Sequence, residues 1–163
     1  MGAVRWRRHV LVAVALAAIA AAALAHAWSQ AWLCDDAFIS FRYCRQLVAG
    51  HGLVFNRGER VEGYTNFLWV LEVALGMQLG ASPERAALVL SVLSTLGLGG
   101  VVVALVRSSP LGKGAWWPAL AALVVLAANR SVAVWTTSGL ETRHFTMWTC
   151  LSVLLVGRAL AAR

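Results

Sequence analysis

Long apolar runs separated by short polar ones set the plan of this chain. Residues 10–28, behind the basic head MGAVRWRRH, are almost wholly Ala, Val, Leu and Ile. About 20 apolar residues cross a hydrocarbon core of about 30 Å, so this run predicts a first membrane span. A cleaved signal peptide is the rival reading, resting on the small-x-small pattern Ala25-His26-Ala27. The apolar runs downstream favour an uncleaved anchor. Residues 86–106, closed by Arg107 and Lys113, predict a second span. Residues 115–134 predict a third, with Trp116, Trp117 and Trp135 at its ends as an aromatic belt would place them. Asn129 and Arg130 lie near its end, within reach of the interface by snorkelling. Residues 145–157 predict a shorter fourth span, followed by Arg158 and Arg163.

The segment Tyr64–Gly80 is apolar but short, and it holds Asn66, Glu72 and Gln78. A charge at mid-bilayer costs about 2.5–3.5 kcal/mol, so residues 66–79 read as a helix lying at the interface. Upstream, Ala37, Phe41, Cys44 and Val48 fall at i, i+4, i+7 and i+11, which predicts a helix over 37–49 with one apolar face. Gly50 and Gly52 end it. Leu53-Val54-Phe55 reads as extended and Asn56-Arg57-Gly58-Glu59 as a turn. The expected fold is an all-α polytopic membrane protein. It has about four transmembrane helices and two extracytoplasmic interfacial helices, all in one membrane module over 1–163. Loops 29–85 and 135–144 lie on the outer side.

Composition agrees. The chain is 60% hydrophobic and 13% charged, with mean hydropathy +0.72. Soluble domains are about 45–50% apolar and about 25% charged, so soluble globular and disordered classes are excluded. The net charge of +7 invites a nucleic-acid partner, but sorting the charges by side removes that reading. If 64–80 does not cross, segments 1–9, 107–114 and 158–163 hold Arg5, Arg7, Arg8, Arg107, Lys113, Arg158 and Arg163 and no acid. The other side then holds all seven acids against the remaining seven arginines, so the seven basic residues above supply the whole net charge. If 64–80 crosses, two basic loops move outside, against the positive-inside rule. The expected topology therefore has both termini cytoplasmic.

Three cysteines make no CxxC and no paired Cys/His spacing. Cys34 and Cys44 are either a disulfide, if extracytoplasmic, or free thiols.

The candidate chemistry lies in the two outer loops. Asp35-Asp36 follows the first span directly. It reads either as a helix cap or as an acid pair able to act as base or to hold a divalent ion. Arg42 and Arg45, at i and i+3, either meet solvent and head groups or bind a phosphate. His51 has no partner in sequence and reads as a loop histidine. The second loop, Trp135 to His144, sets Glu141 beside Arg143. Its bland reading is a polar hairpin capped by Ser138 or Thr142.

The stretch DDAFISFRYCRQLVAGHGLVFNRGERVEGYTNFLW followed by TSGLET resembles the GT-C class of polytopic glycosyltransferases. The likeness is to the branch that contains the terminal arabinofuranosyltransferases of mycobacterial cell walls and related mannosyltransferase-like proteins. It extends over essentially the whole chain. It implies transfer of a sugar from a polyprenyl-phosphate donor to a glycan or lipid acceptor outside the bacterial plasma (inner) membrane. It also implies catalytic roles for Asp35, as the leading acid, Asp36 and Glu141. Asp35 and Asp36 become the metal ligands if a divalent cation is used; no organic cofactor is expected. Arg42, Arg45, Arg143 and His144 are the expected substrate-binding residues. Members of the class are much longer, so the chain is expected to be an N-terminal part of such an enzyme. The alternative is a small non-catalytic membrane protein or truncated remnant that retains the module.

Overall fold

The computed structural model describes residues 2–59, 61–113 and 115–162, with side chains from Arg5 onward; Arg163, counted above among the terminal basic residues, lies outside them. Its helices are α1 (Gly2–Ser29), α2 (Ala37–Val48), α3 (Phe67–Gln78), α4 (Pro83–Ser108), α5 (Trp117–Ala128), α6 (Arg130–Thr136) and α7 (Thr142–Ala161). A single 3₁₀ turn at Pro110–Gly112 joins α4 to α5. Among the described residues the one β-type pairing is an isolated bridge between Asn56 and Glu59, which closes the expected turn. The chain is an all-α membrane protein. Three helices, α1, α4 and α7, are long and apolar enough to cross a bilayer, and the bent pair α5–α6 makes a fourth candidate.

The direction of each helix follows from its contacts. His144 meets Ser94 and the Met147 side chain lies against Gly97, so α4 and α7 run the same way. His26 of α1 reaches Ala127 of α5, while Arg5 and Arg8 share a cleft with Trp116. So α1 and α5 run together, opposite to α4 and α7. One end of the bundle carries the start of α1 and the α4–α5 connection. The opposite end carries residues 30–59 and 61–82 and the α6–α7 loop.

Local sequence explains the helix limits. Ser82 accepts a hydrogen bond from the Arg85 N–H at 3.3 Å, Pro83 fills the first helical position, and Glu84 sits in the first turn. Each feature favours a helix N-terminus. Small residues on α4 allow close helix approach, as is usual between membrane helices. A Cβ on Gly97 would meet Met147 Sδ at 2.6 Å.

The third predicted span, 115–134, is not one straight helix. It breaks at Asn129 and bends by 65°. The Asn129 carboxamide accepts from the Val132 N–H at 3.1 Å and so starts α6. On the other side of the break, His26 Nδ1 donates to the Ala127 carbonyl at 2.9 Å. Backbone groups freed by a break within a membrane must find such partners, so Asn129 caps rather than snorkels. At about 1.5 Å per residue the twelve-residue α3 extends about 18 Å, too short to cross.

The tightest packing lies in the loop helices rather than among the spans. Phe41, Tyr43 and Cys44 of α2 pack on Trp69, Val70, Val73 and Ala74 of α3 and on Ala86 and Ala87 of α4, all essentially inaccessible. The expected apolar face of α2 is buried at Ala37, Phe41 and Cys44, while Val48 stays exposed. This core fixes the platform on which the polar loops sit. The three cysteines are free thiols.

Candidate active site

The two loops singled out by sequence touch each other. The Cys34 N–H, just before Asp35, donates to the Ser138 carbonyl at 2.9 Å. The next carbonyl, of Gly139, accepts from the Trp69 indole N–H at 3.3 Å. Gly139 has φ +81°, and a Cβ there would meet Leu33 Cδ1 at 2.6 Å and Ala37 Cβ at 2.9 Å. Only glycine suits that backbone and that close approach. Ser138 is fully buried; its hydroxyl donates to the Trp135 carbonyl and accepts from the Leu140 N–H. Neither Ser138 nor Thr142 caps α7; Glu141 stands at the cap position without a side-chain cap bond.

Glu141 is held from across the loop instead. Asn66 Nδ2 donates to Glu141 Oε2 at 2.7 Å and approaches Ser40 Oγ at 3.0 Å, while the Ser40 hydroxyl faces Asn66 Oδ1 at 3.3 Å. Asn66 precedes α3 but makes no cap bond, so its carboxamide is committed to this bridge. Asp36, Ser40, Tyr64, Asn66 and Glu141 line one cleft of about 240 Å³, together with Gly63 and Thr65. Tyr64 also walls a neighbouring cleft of about 440 Å³ that contains His51 and Glu62. The His51 Nδ1 is buried without a partner. Tyr43 fixes the wall between α2 and this region: its hydroxyl donates to the Val61 carbonyl at 2.7 Å and accepts from the Gly63 N–H at 2.9 Å.

The two acids after α1 are placed differently. Asp36 faces the cleft and makes no cap hydrogen bond to α2. Asp35, exposed like Asp36, is not one of the cleft walls. The arginines of α2 lie outside the cleft. Arg42 Nε donates to the Phe55 carbonyl at 2.9 Å, with its guanidinium over the Phe55 ring. Arg45 pairs with Glu84 at 3.0 Å. Arg143 and His144 enter α7 and turn into the bundle, where they are 7% and 8% exposed. The Arg143 Nε has no hydrogen-bond partner there.

His144 is enclosed by three elements. Its Nε2 accepts from the Trp148 indole N–H at 2.8 Å, its Nδ1 lies 3.1 Å from Ser94 Oγ, and Glu72 Oε2 lies 3.2 Å from the same Nε2. An indole N–H only donates, so while it bonds Nε2 that nitrogen has no proton to give. The imidazole proton then sits on Nδ1 and points to Ser94. This explains why Glu72 Oε2 is close to the ring yet lacks a hydrogen bond. Glu72 and Trp148 compete for one nitrogen.

Asn66, Ser40 and Ser94 are the residues that sequence pattern alone passed over. Asn66 carried one usable signal, a polar residue directly before an apolar helix.

A divalent cation is tested by the donor set. Among the described residues no three His, Cys, Asp or Glu side chains gather. Mg²⁺ is commonly bound through about one or two carboxylates, with water and substrate phosphate completing its shell. Two carboxylates on one cleft, Asp36 and Glu141, fit that need.

Two curated relatives are similar to this chain. A terminal beta-(1->2)-arabinofuranosyltransferase of Mycobacterium tuberculosis is 33% identical over 120 residues, covering 70% of this chain and 19% of that protein. A protein of the same name from Corynebacterium glutamicum is 44% identical over 63 residues, covering 37% of this chain and 9% of its own length. The chain thus resembles the terminal arabinofuranosyltransferase branch over a small share of each relative. No family model matches, and no solved structure matches.

Proposed function

We propose that this chain is a glycosyltransferase module of the GT-C type. In this reading it transfers a sugar from a polyprenyl-phosphate donor to a glycan or lipid acceptor at the outer face of a bacterial plasma membrane. The observation that carries the reading is the Cys34–Ser138 contact, which joins the two motif loops and puts Asp36 and Glu141 on one cleft. The names of the two similar proteins support a glycosyltransferase. Both termini lie inside in this topology, and the cleft lies outside. The basic residues at one end of the bundle support that sidedness.

The chemistry needs a base and a way to accommodate a phosphate leaving group. The Asp36 carboxylate takes the proton of the acceptor hydroxyl. The freed oxygen attacks the anomeric carbon as the bond from that carbon to the phosphate oxygen breaks. Polyprenyl phosphate leaves with the electron pair and needs no protonation. Glu141, held by Asn66, fixes the opposite wall of the cleft. Asp36 and Glu141 would hold a divalent cation, which would supply charge to the departing phosphate.

Asp35 borders this site without facing it, and Arg42 and Arg45 reach it only if they leave Phe55 and Glu84. The cleft containing His51 and Glu62 adjoins through Tyr64 and provides polar edges suited to an acceptor sugar. An apolar groove of about 320 Å³ between α1, α4, α5 and α6 has the chemistry an isoprenoid tail requires.

The test uses membranes from cells expressing the natural gene product and a panel of labelled polyprenyl-phosphate pentoses and hexoses. Transfer of one of these sugars, lost in the Glu141→Gln variant, is the expected result. No transfer from any donor by protein that is inserted and intact would overturn the reading.

A further inference from the structure

Tyr64 walls both the acidic cleft and a second cleft of about 440 Å³. The polar walls of the second cleft are His51 and Glu62, and Val54 and Val61 are among its apolar ones. Local backbone builds it. Gly50 and Gly52 take φ of +79° and +80° and turn the chain back at the end of α2. There the His51 N–H donates to the Gln46 carbonyl at 3.0 Å. Tyr43 of α2 holds residues 61–63 through the Val61 carbonyl and the Gly63 N–H. The Tyr64 ring stands edge-on to Tyr43, with centroids 4.6 Å apart. Both stretches that form the cleft are therefore anchored on α2.

The polar groups of this cleft are uncommitted. Elsewhere Glu59 bonds Asn56, Glu84 pairs with Arg45, Glu72 lies against His144 and Glu141 is held by Asn66. The Glu62 carboxylate makes no hydrogen bond or ion pair among the described residues, and the Tyr64 hydroxyl makes no hydrogen bond among them. His51 has its Nδ1 enclosed without a partner, while its Nε2 is not enclosed and bonds no described residue. A buried N–H without an acceptor is costly, so the imidazole proton belongs on Nε2, where a ligand can accept it. The cleft thus offers a charged acceptor, a donor and a phenol that does both. Such a set pairs with the hydroxyls of a neutral sugar. The same unpaired carboxylate repels a phosphate, so neither the head of the donor nor an anionic lipid suits this cleft. A resident metal does not fit it either, since no third His, Cys, Asp or Glu joins His51 and Glu62 among the described residues.

We propose that this cleft binds the terminal sugar of a neutral glycan acceptor, with Glu62 and His51 as the residues that select it. This rests on the transferase reading and narrows its acceptor from a glycan or lipid to a glycan. The volume falls within the range of small-ligand sites, about 300–1,000 Å³. Glu62 accepts from the sugar hydroxyls and His51 Nε2 donates to one of its oxygens. Because the two clefts share Tyr64, a sugar held there presents one edge toward the cleft of Asp36.

The test is saturation-transfer difference NMR of the purified natural gene product in nanodiscs, with arabinofuranosyl and mannosyl tetrasaccharides as probes. One of them should receive saturation at the protons of its terminal ring. Glu62→Ala should weaken its binding about tenfold and His51→Ala about threefold, the losses expected for a charged and a neutral hydrogen bond. Arg57→Gln changes an exposed neighbour that does not line the cleft and should leave binding unaltered. Farnesyl phosphate, a short polyprenyl phosphate, should not displace the tetrasaccharide. Unchanged helical circular dichroism shows that each variant is folded. If His51→Ala fails to fold, Glu62→Ala, at an exposed position, decides the matter alone. In a transfer assay Glu62→Ala should raise the acceptor KM and leave the donor KM unchanged. Glu62-dependent binding by a protein that transfers nothing upholds the sugar site and sinks only the transferase reading. Transfer whose acceptor KM ignores Glu62→Ala overturns the sugar site and leaves that reading standing. Failure of both tetrasaccharides to bind overturns the proposal, as does their displacement by farnesyl phosphate.

Discussion

Asn66 and Glu141, 75 positions apart in sequence, are joined by a 2.7 Å hydrogen bond from the Asn66 carboxamide to the Glu141 carboxylate. This bond ties the segment before α3 to the loop before α7 and sets one wall of the candidate cleft. A hydrogen bond to a charged group contributes about 1.5–3 kcal/mol. Asn66→Ala should therefore lower thermal stability modestly and transfer strongly, because Glu141 loses the one side-chain anchor it has among the described residues. Asn66→Asp tests the same bond by charge. Two carboxylates at that distance cannot both ionise freely, and the pair binds a proton at higher pH than either acid alone. Transfer by Asn66→Asp should recover as pH is lowered toward that point.

The pair beneath the cleft gives a second prediction. Glu72 and His144 lie 3.2 Å apart in the bundle, with Trp148 donating to the same imidazole nitrogen. Leaving a buried donor or acceptor without its partner costs about 1–3 kcal/mol. His144→Ala removes the partner of both the Ser94 hydroxyl and the Trp148 indole N–H, and should destabilise the chain in detergent by about that order. Glu72→Gln should be far milder, since it replaces a carboxylate whose Oε2 makes no hydrogen bond with a neutral amide of the same shape. Thermal unfolding of the two variants side by side checks this. Equal losses would contradict it.

A third prediction concerns Cys44. Burial pushes its thiol from the ordinary 9.0 up to about 11, and the thiol donates to the Val70 carbonyl at 3.3 Å. A raised folded-state value means that the thiol form favours folding below pH 9, and that this contribution is lost as pH rises from 9 through about 11. The melting temperature should fall across that window, and Cys44→Ala should flatten the fall. At pH 8.5 an alkylating reagent should modify the partly exposed Cys34 and leave Cys44 untouched until the chain unfolds.

Much of the scaffold is legible from the chain itself. The first and second spans are apolar on every side, so no neighbour is needed to recognise them. The α2 helix shows itself by an apolar face and glycines that stop it. What escaped is what depends on distant side chains. The break at Asn129 lies inside an apolar run and is stabilised by His26, about a hundred positions away. Arg143 and His144 look like loop cations beside an acid, but α7 begins at Thr142 and its first turn carries both inward. The doublet Asp35-Asp36 reads as one unit in sequence. Both are exposed at the start of α2, but only Asp36 lines the cleft.

That separation gives the most direct test of the account. Asp35→Asn and Asp36→Asn are compared for transfer from a polyprenyl-phosphate sugar in membranes carrying the natural gene product, at matched protein levels. A positioned general base contributes about 10²- to 10⁴-fold. The account predicts a loss of that size for Asp36→Asn and only a few-fold loss for Asp35→Asn. Near-normal transfer by Asp36→Asn would contradict it.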